Sequence, residues 1–332
     1  MKQIEYIGTG EISKLAEIVR ELAPKKVFLV TGKKSYDASG ASQSVANALA
    51  EINVLSYSNF GALLLQEDVQ KGIGAYTAFG PDLVVAVGGG HVIDMAKAIN
   101  FLASKKPLVA IPTTAGTGSE ATQFAVVYKN GLKTSLESPE MLPTFAIVDP
   151  ELVMSVPKDI AIASALDALC QSIESVWSRR ATDESRLYAR QALELIWRNI
   201  ISAIEERDPA AVAALSIGAH LAGKAITISK TTACHAFSYG LTYHFKVPHG
   251  IAAAIFLPGV WKYNDFNYPD ASINEVSIKE LLKRFDILAL SQWGITAADL
   301  PSLVAEVNVE RLDNNPRTIS QEGISRFYSE VL

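Results

Sequence analysis

The strongest constraint on the fold is an alternation of short apolar runs with helical patterns in the first half of the chain. In residues 80–104, GPDLVVAVGGGHVIDMAKAINFLAS, a valine-rich run meets three glycines, and apolar residues then recur at spacings of three and four. Near-continuous valine, isoleucine and leucine runs are typical of parallel strands that are buried on both faces. Further strand patterns occupy residues 25–32, 52–58, 107–114 and 144–150, and a helical pattern occupies residues 41–52. The first half is therefore predicted to be an α/β domain built on a mainly parallel sheet.

The second half of the chain has a different pattern. From about residue 158 onward, apolar residues recur every three or four positions over long segments, as in ESRLYARQALELIWRNIISAIEE. This periodicity predicts helices, and strand patterns almost disappear. A chain of 332 residues is also long for a single hydrophobic core. We therefore predict two domains, an α/β domain at residues 1–156 and an all-α domain at residues 157–332.

Composition limits the partners that are expected. The formal net charge is −5 and no run of five basic residues occurs, so nucleic-acid binding is not expected. The first residues lack the apolar segment of a signal peptide, and the longest apolar runs fall short of the ~20 residues that span a bilayer. The two cysteines fit a reducing compartment. These features predict a cytoplasmic protein without a membrane partner.

Two glycine-containing segments follow predicted strands. The first is Gly88-Gly89-Gly90, after which a helix is expected to begin at about His91. Glycines adopt positive φ and let a phosphate approach the backbone, and a helix N-terminus offers unpaired N–H groups. A tight turn without a ligand is the alternative interpretation.

The second segment is IPTTAGTGSEAT, at residues 111–122. Its hydroxyl groups suit the ribose and phosphates of a nucleotide, although a polar surface loop has the same composition. They belong to Thr113, Thr114, Thr117 and Ser119. Because ligands bind at the carboxyl ends of parallel strands, the two segments together predict a nucleotide site.

A set of possible metal ligands lies in the second half. Asp167 and Gln171 are four residues apart, so they share one face of the helix predicted for SALDALCQSIES. His235 and His249 lie in the segment TTACHAFSYGLTYHFKVPHG. One carboxylate and two imidazoles suit zinc, iron or another divalent transition metal. An internal salt bridge and hydrogen-bonded structural histidines are the alternative, and the spacing alone does not decide between them.

Taken in this order, the segments resemble the iron-containing (group III) alcohol dehydrogenase family over essentially the whole chain. The matching motifs are GGGHVIDMAKA, PTTAGTGSEAT, FAIVDPELVMSVP, ALDALCQSIES, HAFSYGLTYHFKVPHG and LDNNPR. The resemblance implies an α/β nucleotide-binding domain, an all-α domain that binds metal and substrate, and an active site in the cleft between them. It implies reversible, metal-dependent, NAD(P)H-linked reduction of an aldehyde to a primary alcohol. A homo-oligomer, most simply a dimer, is also expected.

The resemblance assigns individual residues to the cofactor. Three glycines and an aspartate match the family's glycine-rich loop, with His91 where serine is usual, and the hydroxyl-rich segment matches its second cofactor loop. Lys133 falls where the family has a lysine near the cofactor. The residues assigned in this way are Gly88, Gly89, Gly90, His91, Asp94, Thr113, Thr114, Thr117, Ser119 and Lys133.

Three of the family's four metal ligands are present, as Asp167, His235 and His249. Gln171 stands where the family has its fourth ligand, a histidine. A glutamine carbonyl oxygen is a weaker and neutral donor, so we expect a divalent metal, Fe(II) or Zn(II), to be retained but bound less tightly.

A second departure from the family is Tyr239, which stands where many relatives have a proton-relaying histidine. We expect its hydroxyl to donate a proton, with shaping of the pocket as the alternative. His244 has no role in the family and is interpreted as a surface histidine.

The end of the first long strand indicates the cofactor preference. NAD-preferring relatives tend to carry an aspartate where Gly32 stands, and glycine leaves room for a 2′-phosphate that Lys33, Lys34 and Ser35 would bind. NADPH is therefore predicted, with NADH as the alternative. Lysines that are merely solvated would give the same sequence.

Two segments, ISKTTACHAFSYGLT and DALCQSIESVWS, look most similar to the subgroup that includes phosphonoacetaldehyde reductase, which makes 2-hydroxyethylphosphonate. A dianionic substrate needs a nearby cation. Lys230, five residues before His235, is the predicted one, and Lys246 and Arg317 are weaker candidates. Two other functions remain as alternatives: a metal-dependent lyase of the dehydroquinate synthase type, and a metal-free nucleotide-binding protein without turnover.

Overall fold

A six-stranded sheet organises the first half of the chain. The structure, a computed structural model, describes residues 3–61, 63–129 and 132–332, apart from the side chains at positions 129, 132, 133 and 310. The strand order is β1-β8-β5-β4-β2-β3, and every neighbouring pair is parallel. A separate antiparallel pair consists of β6 and β7. The strands are β1 (Ile4–Ile7), β2 (Lys26–Thr31), β3 (Asn53–Tyr57), β4 (Leu83–Gly88), β5 (Leu108–Pro112), β6 (Phe124–Lys129), β7 (Leu132–Glu137) and β8 (Phe145–Val148).

Helices cover both faces of this sheet and form the second half of the chain. Among the described residues they are α1 (Lys14–Leu22), α2 (Ser35–Ala38), α3 (Ala41–Ala48), α4 (Gln66–Phe79), α5 (Gly90–Ala103), α6 (Lys158–Trp177), α7 (Asp183–Ile201), α8 (Pro209–Ser229), α9 (Ala233–Phe245), α10 (His249–Ala254), α11 (Leu257–Asn264), α12 (Glu275–Arg284), α13 (Leu300–Ala305), α14 (Val309–Asp313) and α15 (Gln321–Glu330).

The central strand β4 explains the continuous apolar run in the sequence. Successive side chains of a strand point to opposite faces of the sheet. Val84 and Ala86 belong to the core that β4 forms with α4 and α5, whereas Val85 and Val87 belong to the core on the other face, with α1 and α3. Both faces are therefore buried, and no polar residue is tolerated along the strand.

The second half is built around α6, α7 and α8, which pack on one another in a single large core. α7 begins with a capping box, in which the Thr182 side chain accepts from the Ser185 N–H and the Ser185 side chain accepts from the Thr182 N–H. α8 is long and apolar enough to cross a membrane by length and composition, but 61% of that window is buried inside the protein. Its burial among helices is that of a core helix.

The predicted α/β and all-α fold classes are confirmed, and the strands and helices predicted from the pattern occur where expected. Past Val148, the described residues contain no strand, and α6 begins at Lys158. The division between domains at 156 and 157 stays a prediction. Two elements were not predicted: β1, whose four residues IEYI are too few for a pattern, and the β6–β7 hairpin.

Candidate metal and nucleotide site

A cavity of about 210 Å³ lies where the carboxyl edge of the sheet meets the helical half. Gly90, Asp94 and Thr117 line it from the first half of the chain, and Gln171 and His249 line it from the second half. The site is thus assembled from segments that are distant in sequence.

Three potential metal ligands converge at this cavity. One ligand atom each from Asp167, His235 and His249 lies within 4.8 Å of the other two. His235 Nε2 and Asp167 Oδ1 are 3.1 Å apart. The glycine after His249 makes this approach sterically possible, because a Cβ at Gly250 would lie 1.9 Å from the Ala163 carbonyl oxygen of α6. The sequence HG therefore lets the start of α10 lie directly against α6.

A buried carboxylate that sequence reasoning missed orients His235. Glu174 is fully buried and hydrogen-bonded to His235 Nδ1, and it accepts from the Thr232 hydroxyl at 2.7 Å and the Cys234 N–H at 2.8 Å. Such a partner fixes the ring and leaves Nε2 for the cavity. A signal existed, because Asp167, Gln171 and Glu174 are spaced i, i+4 and i+7 on α6.

The two carboxylates set the charge state of His235 in the protein. Burial alone would lower the pKa of His235, but Glu174 and Asp167 raise it to about 9. Burial likewise opposes ionisation of Glu174, yet the adjacent His235 and the hydrogen bonds hold the pKa of that carboxyl below its usual value. A metal that binds here replaces the proton of His235.

Gln171 supplies the observation that tests whether a metal fits. Its amide nitrogen donates to the Thr117 carbonyl oxygen at 3.4 Å, whereas its Oε1 is buried and has no hydrogen-bond partner among the described residues. An unpaired buried acceptor is costly. Because Gln171 borders the same cavity as Asp167, His235 and His249, the donor set fits a divalent cation.

Tyr239 lies one turn after His235 on α9 and lines the same cavity. Its ring stacks on that of His249, with centroids 6.0 Å apart and planes at 18°. Burial raises the pKa of Tyr239, while Arg311 and a hydrogen bond with the Thr231 side chain act in the opposite direction. The phenol is therefore protonated at neutral pH and able to donate.

The two predicted nucleotide loops lie side by side. β2, β4 and β5 are neighbours, so the loops that follow them share the carboxyl edge of the sheet. A Cβ at Gly90 would lie 2.3 Å from Thr117 Oγ1, and one at Gly89 would lie 3.5 Å from Thr114 Oγ1. None of the three glycines Gly88, Gly89 and Gly90 has a positive φ. Close packing of the two loops, rather than a left-handed backbone, is what excludes a side chain at Gly90.

The polar side chains of these loops differ in whether they have hydrogen-bond partners within the protein. Asp94 accepts from the Val126 N–H at 3.0 Å and from the Ser119 hydroxyl, so it fixes the second loop and β6. Thr113 Oγ1 is buried without a partner among the described residues, and His91 is exposed at the start of α5 with its ring against Phe60. Asp94 is thus engaged in holding the second loop in place, whereas Thr113 Oγ1 is unpaired among the described residues but not exposed.

The residues predicted to set cofactor preference follow β2. Gly32 is close to Ser35, whose Oγ would lie 2.2 Å from a Cβ at position 32. Lys33 and Lys34 are exposed. Lys133 belongs to β7, but its side chain lies outside the described part of the structure.

The structure places the cations of this region differently from expectation. Lys230 is buried, forms an ion pair with Glu137 and is not among the described residues that line the cavity. Arg311 of α14, which the sequence did not single out, does line it. Arg317 pairs with Asp265 at 3.2 Å on the surface, and Lys246 is exposed.

His244 faces solvent, in agreement with its interpretation as a surface histidine. Its Nε2 lies 2.8 Å from Glu306 Oε2, and it does not border the cavity.

Two family models match the chain. The model described as iron-containing alcohol dehydrogenase covers residues 4–150, and the model for the C-terminal region of the Fe-containing alcohol dehydrogenase family covers residues 161–277. Together they span most of both halves.

Individual relatives agree with these models. A phosphonoacetaldehyde reductase from Streptomyces viridochromogenes is 32% identical over 75% of this chain and 76% of its own length. A 1-propanol dehydrogenase from Salmonella typhimurium is 36% identical over 80% of this chain and 81% of its own. The solved structure of a sulfoacetaldehyde reductase from Bifidobacterium kashiwanohense, in complex with NAD+, is similar with a TM-score of 0.90 at 26% identity, covering 99% and 96% of the two chains.

The resemblance inferred from the motifs is confirmed, and these relatives are alcohol dehydrogenases and aldehyde reductases rather than lyases. The family uses NAD(P) with iron or another divalent metal, and its substrates are small molecules. This chain belongs to the iron-containing alcohol dehydrogenase family.

Proposed function

We propose that this protein reduces a small aldehyde to a primary alcohol with NADPH, at a divalent metal held by Asp167, Gln171, His235 and His249. The observation that carries the metal site is the unpartnered Oε1 of Gln171 beside the three converging ligands. Four donors around one cavity are the number that a four-coordinate site needs, and the cavity leaves space for substrate oxygen.

The chain's own groups do most of the positioning. A bound divalent metal supplies Lewis-acid polarisation of a carbonyl oxygen, and NADPH supplies the hydride. Glu174 holds His235 in the orientation that points Nε2 at the cavity. Tyr239 lines the same cavity one turn after His235, and its protonated hydroxyl can deliver a proton to the product oxygen. Leu64, Phe124 and Ile226 exclude water from the same space.

The cofactor proposal concerns the segment after β2. Glycine at position 32 lets the Ser35 hydroxyl lie against the backbone and brings no carboxylate that would repel a 2′-phosphate, and the exposed Lys33 and Lys34 supply positive charge. Gly32→Asp should shift the ratio of kcat/KM values from NADPH towards NADH. An unchanged ratio would refute this account of cofactor choice.

Phosphonoacetaldehyde is the substrate we propose, with 2-hydroxyethylphosphonate as product. Its support is the likeness to a phosphonoacetaldehyde reductase and the cationic lining of the cavity by Arg311. We further propose a cytoplasmic homodimer with no nucleic-acid or membrane partner.

The decisive experiment follows absorbance of reduced nicotinamide with phosphonoacetaldehyde or propanal. Protein stripped with a chelator should be inactive, and added Fe(II) or Zn(II) should restore NADPH consumption. Full activity in protein shown by elemental analysis to be metal-free would overturn the proposal.

A second measurement addresses Gln171 itself. Gln171→Met keeps the side-chain volume and removes the carbonyl oxygen, so we expect metal affinity to fall on the order of tenfold, or about 1.4 kcal/mol. Gln171→His should raise affinity, because imidazole is the better donor for these metals. Equal metal affinity in all three proteins would exclude Gln171 from the site.

A further inference from the structure

The cavity continues beyond the metal ligands along one face of α9. His235, Tyr239 and Thr242 are spaced i, i+4 and i+7, and all three line it. Seven residues of helix rise about 10 Å, so this face is long enough for a short substrate with its carbonyl at one end and a second group at the other. The volume of about 210 Å³ is below the roughly 300 Å³ of sites for larger ligands.

Arg311 stands apart among the residues that line this cavity. It is the only lysine or arginine among the described ones, and its guanidinium has no hydrogen bond or ion pair with the part of the chain that the structure describes. It is only partly exposed, so solvent does not fully replace a counter-ion. A guanidinium in this state presents fork-like donors that match a phosphonate, sulfonate or carboxylate.

Lys230 provides the contrast. It is also a buried cation near the cavity, but Glu137 neutralises it and the Thr227 carbonyl oxygen accepts from it at 3.3 Å. A cation whose charge is already matched gains little from a substrate anion. Of these two cations, Arg311 is therefore the one that has no carboxylate partner among the described residues.

Two threonines and two aspartates are among the polar residues that line the same cavity as Arg311. Thr242 Oγ1 is buried without a hydrogen-bond partner among the described residues, and Thr231 also lines the cavity. Of the two aspartates that border it, Asp94 is engaged by the Ser119 hydroxyl and the Val126 N–H, and Asp167 lies against His235. Repulsion from these carboxylates favours placing an anion away from them.

We propose that Arg311 binds the anionic end of the substrate, so that the enzyme selects short aldehydes carrying a phosphonate group. This inference rests on the proposed aldehyde reduction and adds the residue that determines substrate charge.

The test compares two charge-removing variants, Arg311→Met and Lys230→Met, in the metal-loaded enzyme with NADPH. The measured quantity is the ratio of kcat/KM for phosphonoacetaldehyde to kcat/KM for propanal. Arg311→Met should lower this ratio roughly 10- to 100-fold, as expected for a lost charge-assisted hydrogen bond, chiefly through KM. Arg311→Lys should recover part of it, and Lys230→Met should leave it within about threefold of wild type.

A binding measurement without turnover provides an independent readout. Ethylphosphonate, which has no carbonyl group, should raise the melting temperature of wild type and Lys230→Met but not of Arg311→Met. Ethanesulfonate in the same assay shows whether the site also accepts a singly charged anion; stronger stabilisation by ethanesulfonate than by ethylphosphonate would overturn the choice of phosphonate.

The outcomes separate this inference from the function on which it rests. A wild-type ratio unchanged in Arg311→Met, or lowered in Lys230→Met instead, would overturn the role of Arg311 while leaving aldehyde reduction intact. Absence of NADPH consumption with both aldehydes in the metal-loaded wild type would overturn the proposed function itself.

Discussion

Two buried histidines of this protein have nearly the same electrostatic surroundings and different positions in the fold. His235 lies between Asp167 and Glu174, and His220 of α8 lies between Glu120 and Glu5. In both cases burial alone would lower the histidine pKa, and the carboxylates raise it to about 9. Charge state alone therefore cannot distinguish a metal site from a structural ion cluster.

The difference lies in what else converges on each ring. His235 shares a cavity with His249 and the unpaired oxygen of Gln171. His220 joins α8 to the segment containing Glu120 and to β1, where Lys224 also pairs with Glu5 at 2.8 Å. Its Nδ1 lies 3.1 Å from Glu120 and its Nε2 lies 3.6 Å from Glu5. His235 lines a cavity with further potential donors, whereas His220 lies between two carboxylates and its Nε2 has no hydrogen-bond partner among the described residues.

The largest expected effect is on catalysis by His235→Ala. Loss of this proposed metal ligand should lower kcat/KM by on the order of 10³-fold or more, because Lewis-acid stabilisation contributes several kcal/mol. Elemental analysis after dialysis should show metal lost from His235→Ala and retained in His220→Ala. Equal metal contents in the two variants would break the distinction drawn between the histidines.

His220→Ala should affect stability instead. Removing one member of a buried ionic cluster leaves uncompensated carboxylates, which typically costs about 3–5 kcal/mol. Urea unfolding should report this loss in the free energy of unfolding, and His244→Ala, at an exposed pair, should cost less than about 1 kcal/mol. A His220→Ala protein as stable as wild type would show that the buried ionic cluster makes no net contribution to the free energy of unfolding.

The pH dependence of that stability has a defined sign. Since the folded pKa of His220 is raised from 6.5 to about 9, its contribution is fully present below about pH 6.5 and is lost as pH rises through about 9. Glu5, whose pKa is lowered from 4.5 to about 2, contributes above about pH 4.5 and loses its contribution as pH falls towards 2.

The other charges that face this cluster are Glu120 and Lys224, and the buried Lys97 lies near Glu120. The unfolding free-energy difference between wild type and His220→Gln should therefore be larger at pH 6 than at pH 9.5, by roughly 3 kcal/mol. A difference that is constant between these pH values would contradict a protonated His220.

The smallest effect should come from the carboxylates themselves. Glu174→Gln weakens the orientation of His235, so we expect metal affinity to fall about 10- to 100-fold. Glu120→Gln makes the matched change beside His220 and should leave metal affinity unaltered. Competition with a calibrated chelator measures both.

Much of the fold was predictable because local patterns determined it. The alternation of buried strands and helices specified the parallel sheet, and the three-and-four periodicity specified the helical half. The β6–β7 hairpin was missed although Asn130-Gly131 between two apolar runs is a sequence signal for one. The spatial arrangement of segments that are distant in sequence was harder to predict than the elements themselves.

In the candidate site too, residues with a local sequence pattern could be predicted, and residues placed by long-range contacts could not. The motifs indicated Asp167, Gln171, His235 and His249, which the structure brings to one cavity, and helical spacing could have indicated Glu174. His220 has no local signal, because its partners lie 100 and 215 residues away in an otherwise apolar helix. Closeness in sequence to His235 predicts Lys230 as the cation, whereas among the described residues it is Arg311, 76 residues from His235, that borders the cavity.

The amide of Gln171 has one further consequence for how the two halves act together. Its nitrogen donates to the carbonyl oxygen of Thr117 in the proposed nucleotide loop, while its oxygen has no partner among the described residues and is a proposed metal donor. A single planar group thus couples the position of the loop to the proposed metal site. By thermodynamic linkage, if an ordered loop increases the affinity for metal, bound metal stabilises the ordered loop by the same free energy. Binding of nucleotide should then increase the affinity for metal, and binding of metal should increase the affinity for nucleotide, so the two ligands should bind cooperatively.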